Sequence, residues 1–183
     1  MELTASMYYD DHVEKCKLGN SSGFNELYNQ YSKAMYNTSL RIVNNAADAE
    51  DIVQEGFTDA FKNIKGFNYQ STFGAWIKRI VINKSINHLR NKKLKLVDIN
   101  QTSISELEND EVINEEEIQF KVEEIRKAVR MLPDGYRTVF TLCAFEGYDY
   151  EEISEILNVS ESTVRSQYHR AKKQLLQFIK QGS

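Results

Sequence analysis

The chain has 183 residues, a formal net charge of −4, one proline and eight glycines. This length allows one domain or two small ones, and the scarcity of proline and glycine favours an all-α fold. Two distant cysteines, Cys16 and Cys143, form no Cys-x-x-Cys motif, so neither a metal site nor a disulfide framework is expected. The sequence has no signal-peptide pattern and no apolar stretch of about 20 residues, which predicts a cytoplasmic protein without membrane insertion of its own.

Three amphipathic helices are predicted in the first 97 residues, because apolar side chains recur there at helical spacing. The first helix carries its apolar face on Phe24, Leu27, Tyr28, Tyr31 and Met35. The second begins near Asp48 and buries Val53, Phe57, Ala60 and Ile64. Acidic residues lie in its first two turns, where the helix dipole favours negative charge. The third opens at Phe73 and ends in a basic segment at Arg90.

An aromatic and polar loop separates the second and third helices, with the sequence GFNYQS at residues 66–71. Such a loop can stack on unpaired bases and hydrogen-bond to their edges. On the loop alone, packing of Phe67 and Tyr69 into the local core is the favoured interpretation. The adjoining helix strengthens the nucleic-acid interpretation, because it carries Trp76, Lys78, Arg79, Asn83 and Lys84.

Charge is distributed unevenly along the chain. Residues 78–97 contain seven cations and no acid, whereas residues 98–124 contain ten acids and one lysine. Local charge matters more than the net value for attracting a polyanion, since fields are screened over about 10 Å. Residues 98–116 are polar, acidic and weakly periodic, which predicts a flexible linker between helical domains at 1–97 and 117–183.

The C-terminal domain is predicted to contain about four helices. An amphipathic stripe from Ile118 to Leu132 ends at Pro133, and a short helix covers residues 137–145. The last two helices form a helix-turn-helix. Asn158 tolerates the left-handed backbone of the turn, and Ser160 is suited to cap the final helix.

The final helix has a packed face and a cationic face. Its inward positions are Val164, Tyr168, Ala171, Leu175 and Phe178. Its outward positions are Arg165, Ser166, His169, Arg170, Lys172 and Lys173, with Ser162 and Thr163 in the first turn. A basic helix face is usually only solvated. The helix-turn-helix in front of it favours a helix that enters the major groove of DNA.

Two long segments resemble a known family. The stretch DAEDIVQEGFTDAFKNIKGF, followed by STFGAWIKRIVINKSINHLR, resembles the second conserved region of bacterial sigma factors. The stretch LPDGYRTVFTLCAFEGYDYEEISEILNVSESTVRSQYHRAKKQL resembles their fourth. The two regions flank a short linker with no third region between them. This arrangement is similar to the extracytoplasmic-function (ECF) group of the sigma-70 family.

The resemblance implies a role for each matching position. Residues expected to bind the clamp helices of core RNA polymerase are Asp48, Asp51, Gln54 and Glu55. The loop is expected to capture a flipped base of the −10 element, and the full −10 set is Asn68, Tyr69, Gln70, Ser71, Trp76, Lys78, Arg79, Asn83 and Lys84. The −35 set is Ser162, Thr163, Arg165, Ser166, His169, Arg170, Lys172 and Lys173, the two lysines reaching phosphates.

The implied partners are core RNA polymerase, through its clamp helices and flap, promoter DNA and an anti-sigma factor. Two interpretations of the acidic linker stay open. It is either a soluble tether or a mimic of nucleic-acid charge in the RNA exit path of the polymerase.

Three functions agree with at least part of this sequence pattern. The predicted function is an alternative sigma factor that opens the −10 element and reads the −35 element. A stand-alone helix-turn-helix regulator of duplex operators would instead need a dimerising or ligand-sensing N-terminal domain. An enzyme acting on nucleic acid is disfavoured, because His12, His88 and His169 are scattered and no nucleophile–base pair or glycine-rich phosphate loop is present. No catalytic residue, metal or cofactor is expected.

Overall fold

The computed structural model describes residues 8–96 and 122–182, with side chains described for residues 8–92 and 122–181. Every regular element within these ranges is helical, which confirms the expected all-α fold. The predicted linker at 98–116 and the first residues of the Ile118 stripe lie outside the described residues. Across the described ranges, no helix combines the length and apolarity needed to cross a bilayer.

The described residues form two helical units. The N-terminal unit contains α1 (Asp11–Lys17), α2 (Ser21–Val43), α3 (Ala46–Lys62), a 3-10 turn (Ile64–Gly66) and α4 (Phe73–Leu96). The C-terminal unit contains α5 (Val122–Met131), α6 (Asp134–Phe140), a π-helical turn (Thr141–Phe145), α7 (Tyr150–Leu157) and α8 (Glu161–Gly182). Helix α1 and the 3-10 turn do not follow from the apolar periodicity of the sequence.

Local capping fixes where the functional helices begin. The Asn45 side chain caps α3 by accepting the Asp48 N–H at 3.0 Å, so this helix starts slightly before the predicted position. Asn158 adopts the left-handed conformation (φ 55°) between α7 and α8, as predicted. Ser160 accepts the Thr163 N–H at 3.2 Å, which confirms the expected cap of α8.

One large apolar core contains residues of both units, and a smaller one lies within the C-terminal unit. The predicted core positions Leu27, Met35, Phe57 and Phe73 are all buried in the N-terminal unit. In the C-terminal unit, α5 packs on α8 through a small cluster. That cluster buries Ile179, whereas the predicted Phe178 is only half-buried. The reason is helical phase: Ile179 lies one turn after the buried Leu175, directly along the buried stripe.

A buried arginine joins the two units. The Arg137 side chain is only 4% exposed. Its Nε and Nη2 both donate to the Ile42 carbonyl at 3.2 Å, and its Nη1 donates to the Leu132 carbonyl at 2.7 Å. Nη2 also donates to Asp134 Oδ1 at 2.6 Å. These carbonyls lie at or just beyond the C-terminal ends of α2 and α5, where no later N–H group of the same helix can donate to them.

A buried carboxylate forms the second contact between the units. Glu146, just after the π-helical turn, has a side chain that is 4% exposed. It accepts hydrogen bonds from Thr38 Oγ1 at 2.9 Å and Arg41 Nη1 at 2.8 Å, and pairs with Lys78 Nζ at 2.9 Å. All three partners belong to the N-terminal unit. Helices α2 and α4 therefore supply the positive charge that holds the C-terminal unit in place.

We expect Glu146→Gln to lower the free energy of unfolding by about 1–3 kcal/mol, because hydrogen bonds to a buried charge become bonds to a neutral amide. Urea denaturation of the full chain measures this change. The matched control is Glu155→Gln, at an exposed position on α7, which should change stability by less than about 0.5 kcal/mol. Equal effects of the two substitutions would contradict the account of this contact.

Candidate functional site

Three of the four predicted polymerase-binding residues line one depression on the N-terminal unit. Asp51, Gln54 and Glu55 are exposed on successive turns of α3. They share a shallow cavity of about 390 Å³ with Thr58, Asp59, Lys62 and Lys84. The acidic face of α3 consists of Asp51, Gln54, Glu55 and Asp59. The spacing of these residues predicts their common exposure, because positions three and four apart share one side of a helix.

Asp48 lies beside the acidic face but not in its depression. Its Oδ2 is 3.1 Å from His88 Nε2 and 3.7 Å from Lys92 Nζ, both on α4. Asp48 is half-buried, and its backbone N–H is used by the Asn45 cap. The structure therefore places Asp48 where it ties α3 to α4.

Lys84, predicted to contact the −10 element, lies against the acidic face. Its ammonium is 2.7 Å from Asp59 Oδ2 and 3.4 Å from Glu55 Oε2. The hydrogen bond to Asp59 raises the pKa of Lys84, and the same bond lowers the pKa of Asp59. In the described chain, this cation is therefore engaged by carboxylates of α3.

The aromatic loop (residues 67–71) presents its polar residues outward. Asn68 and Gln70 are exposed, whereas Ser71 is half-buried and its hydroxyl donates to the Thr72 carbonyl at 3.3 Å. Phe67 is only 5% exposed, and its ring lies 5.0 Å from that of Trp76. The core interpretation is thus confirmed for Phe67.

Tyr69 has a different environment from its neighbours in the loop. It is half-buried, its backbone is left-handed (φ 59°), and its hydroxyl donates to the Glu14 carboxylate on α1. The Lys17 ammonium lies 4.2 Å from the centre of the Tyr69 ring. Burial and the bond to Glu14 raise the pKa of Tyr69, which keeps the phenol protonated. The tyrosine is therefore held by α1 rather than projecting freely.

The rest of the predicted −10 set lies on α4. Trp76 is half-buried against Phe67 and Phe73, so its ring supports the base of the loop. Arg79 and Asn83 are exposed, but Lys78 pairs with Glu146 of the C-terminal unit. Arg79 and Asn83 are thus accessible to a ligand, whereas Lys78 and Lys84 are paired with carboxylates.

Helix α8 displays the predicted −35 residues on one side. Arg165, Ser166, His169 and Arg170 are exposed and line a common concavity of about 380 Å³. The Arg165 guanidinium lies 5.4 Å from the centre of the Tyr150 ring on α7. A cation held over an aromatic ring is partly pre-oriented. The helix-turn-helix therefore positions this arginine from both of its helices.

The remaining −35 candidates flank this concavity. Ser162 is exposed and Thr163 is half-buried at the start of α8, where both hydroxyls lie 2.8 Å from Ser160 Oγ. Lys172 is exposed, with its ammonium 5.1 Å from the centre of the Tyr168 ring, and Lys173 is half-buried. Burial raises the pKa of Tyr168 to about 12. This ring therefore stays neutral beneath the cationic face.

The family comparisons match both segments of the chain. Residues 27–94 match the family described as Sigma-70 region 2. Residues 122–175 match the family described as Sigma-70, region 4. Together these matches cover most of the described chain. They include the acidic face, the aromatic loop and the helix-turn-helix, but α1 precedes both matches.

Curated relatives align over nearly the whole length. The chain is 30% identical over 178 residues to the ECF RNA polymerase sigma factor SigW of Bacillus subtilis, covering 92% of this chain and 95% of the relative. It is 30% identical over 169 residues to the RNA polymerase sigma-H factor of Pseudomonas aeruginosa, covering 87% of this chain and 88% of the relative.

Solved structures share the fold. The sigma factor RpoE in complex with the anti-sigma factor NepR from Bartonella quintana aligns with a TM-score of 0.59 and 22% identity. That alignment covers 86% of this chain and 96% of the other. CnrH in complex with the cytosolic domain of CnrY aligns with a TM-score of 0.57 and 21% identity, covering 94% of this chain and 97% of the other.

Proposed function

The chain belongs to the ECF group of the sigma-70 family and is an alternative RNA polymerase sigma factor, and we propose that it divides initiation among three surfaces. The acidic face binds core polymerase, the aromatic loop holds the −10 strand, and α8 reads the −35 duplex. Residues 1–97 form the first domain, 98–116 the linker and 117–183 the second domain. The observation behind this proposal is that the residues of the three surfaces are exposed on separate elements of the fold.

The acidic face suits a protein partner. Asp51, Gln54 and Glu55 are exposed together, and they offer two carboxylates and one amide within a shallow depression. Carboxylates would repel a DNA backbone but pair with the basic side chains of a protein. We assign this face to the clamp helices of core polymerase, with Asp48 fixing the angle between α3 and α4.

The aromatic loop suits a single strand. Asn68 and Gln70 are exposed amides, and an amide can hydrogen-bond to the edge of an unpaired base. Removing a base from the duplex costs a few kcal/mol of stacking, which contacts with the extruded base must offset. Arg79 and Asn83, exposed on the adjoining helix, are assigned to the same strand and its phosphates.

Lys78 and Lys84 fit this scheme only after a rearrangement. Lys78 pairs with Glu146 and Lys84 pairs with Asp59 in the free chain. We propose that Lys78 reaches DNA when the two units separate on polymerase. Lys84 is less suited than Lys78 to bind DNA, because its carboxylate partners lie within the same unit and stay beside it when the units separate.

Helix α8 suits a duplex. Arg165, Ser166, His169 and Arg170 form an exposed polar surface on the second helix of a helix-turn-helix, the helix that enters the major groove in this motif. Lys172 and Lys173 are assigned to phosphates, which add affinity without sequence preference. We assign no catalytic residue, and we place the protein in the cytoplasm with its polymerase partner. An anti-sigma partner is proposed because related folds occur in such complexes.

Arg165→Ala tests the division of labour. We expect promoter-directed transcription to fall about 5- to 150-fold, because losing one good base contact costs about 1–3 kcal/mol. Binding to core polymerase should stay within twofold of the unmodified chain. Run-off transcription and fluorescence anisotropy with labelled polymerase measure the two quantities. Lys180→Ala is the control, since it removes an exposed cation from the far end of the same helix. Equal loss of both activities in Arg165→Ala would refute the proposed division.

A further inference from the structure

Tyr69 stands in a backbone conformation that needs support. Its φ of 59° is left-handed, which is uncommon for any residue other than glycine and particularly for a bulky one. The residue lies in a loop whose neighbours Asn68 and Gln70 are exposed. Such a conformation persists only where the surroundings hold the residue in place. The contacts of the Tyr69 side chain therefore support the conformation of this loop.

Helix α1 and the residues just before it supply that support. The Glu14 carboxylate accepts the Tyr69 hydroxyl, the Lys17 ammonium lies 4.2 Å from the ring centre, and the Tyr9 ring stacks on it at 6.0 Å. Glu14 is central to this arrangement, because its Oε1 also lies 3.1 Å from Lys17 Nζ. One carboxylate thus holds both the hydroxyl of the tyrosine and the cation above its ring.

The presence of a polar rather than an apolar partner for Tyr69 also needs an explanation. A carboxylate beside a surface for single-stranded DNA repels phosphates, so a purely apolar contact would serve mere packing better. Lys17 neutralises this carboxylate locally. Phe67 already anchors the loop to the core, since it is 5% exposed and packs on Trp76. Phe67 therefore attaches the loop to the core, whereas the hydrogen bond to Glu14 acts on the orientation of Tyr69.

The position of the Tyr69 side chain decides what its neighbours can reach. Because Tyr69 turns towards α1, the loop leaves Asn68 and Gln70 on the solvent side. If Tyr69 were released, its backbone would be free to leave the left-handed region, and both neighbouring amides would be reoriented. Helix α1 precedes the residues that match either family description, so these contacts add to the matched region.

We propose that Glu14 is a positioning residue for −10 recognition: it holds Tyr69 so that Asn68 and Gln70 face the unpaired strand. This inference rests on the proposed function of the aromatic loop. It concerns selectivity among −10 sequences, whereas a merely structural role for Glu14 would affect all templates alike.

The test uses the full chain with core polymerase and a panel of templates that share one −35 element and differ by single bases in the −10 element. The selectivity ratio is transcription from the best template divided by the mean of the others. We expect Glu14→Ala and Tyr69→Phe each to lower this ratio at least fivefold. Glu14→Gln should retain most of the ratio, because its amide oxygen still accepts the tyrosine hydroxyl. Lys15→Ala, an exposed change on the same helix, is the control and should leave the ratio unchanged.

The combined variant Glu14→Ala/Tyr69→Phe sharpens the test. Both changes remove the same hydrogen bond, so the pair should lower the ratio no further than either alone. An unchanged ratio in Tyr69→Phe, or a uniform loss on every template in Glu14→Ala, would overturn the inference. Tyr69→Phe keeps the test decisive if Glu14→Ala fails to fold. If the unmodified chain directs no promoter-specific transcription, the proposed function fails instead, and the two failures are thereby distinguished.

Discussion

Arg137→Ala is expected to lower the free energy of unfolding by about 2–6 kcal/mol, because two buried carbonyls at helix ends would each lose their donor at a cost of about 1–3 kcal/mol. The guanidinium donates to two carbonyls, those of Ile42 and Leu132, and to Asp134 Oδ1. Both carbonyls would lose their protein donor at a site that is closed to solvent around Arg137. A domain of this size is stable by only about 5–15 kcal/mol, so the loss is a large share of the total. Urea denaturation followed by circular dichroism measures it.

Two further variants separate charge from geometry at this position. Arg137→Lys keeps the charge, but a single ammonium lacks the planar fork that spans two helix ends, so we expect most of the loss to remain. Arg126→Ala is the control, because that arginine is exposed and its pair with Glu123 is a surface pair at 3.7 Å. It should cost less than about 1 kcal/mol. Comparable losses in Arg126→Ala and Arg137→Ala would contradict the structural role given to Arg137.

Replacing both Gln54 and Glu55 by alanine is expected to weaken binding to core polymerase at least tenfold, which corresponds to about 1.4 kcal/mol. Both side chains are exposed in the shallow depression on α3. The fold should survive, because Lys84 keeps its closer partner Asp59 at 2.7 Å. Competition anisotropy with labelled polymerase measures the affinity, and circular dichroism confirms the helical content.

The matched control for this pair is Asn25→Ala with Glu26→Ala on α2. It removes one amide and one carboxylate from adjacent exposed positions of the same unit. Its affinity for polymerase should stay within twofold of the unmodified chain. If the control pair and the α3 pair weakened binding equally, the acidic face would not be the polymerase contact.

Features with a local cause were predictable from the sequence. The turn at Asn158 and the cap at Ser160 follow from side chains acting within a few residues, and both are confirmed. The exposed row of Arg165, Ser166 and His169 follows from helical periodicity alone. Helix α1 is not predicted because its seven residues bury only Val13 and Cys16, and two apolar positions do not establish a helical period.

Features with a distant cause were not predictable. The positive charges of Lys78 and Lys84 favour DNA binding in the sequence, but their carboxylate partners come from other elements of the fold. The contact between Glu146 and Arg41 joins residues 105 positions apart, and that of Arg137 with Ile42 joins residues 95 apart. A cation in a sequence shows that a charge is present, while only tertiary packing decides which anion it meets.

The most direct test of the central claim is transcription from a pool of DNA fragments by core polymerase reconstituted with this chain. The fragments carry randomised windows at the −35 and −10 positions, and the templates of the transcripts are sequenced. We predict enrichment in both windows, with Arg165→Ala flattening only the upstream window and Asn68→Ala/Gln70→Ala flattening only the downstream window. No transcription above that of core polymerase alone, or loss of enrichment in both windows with either variant, would contradict the account.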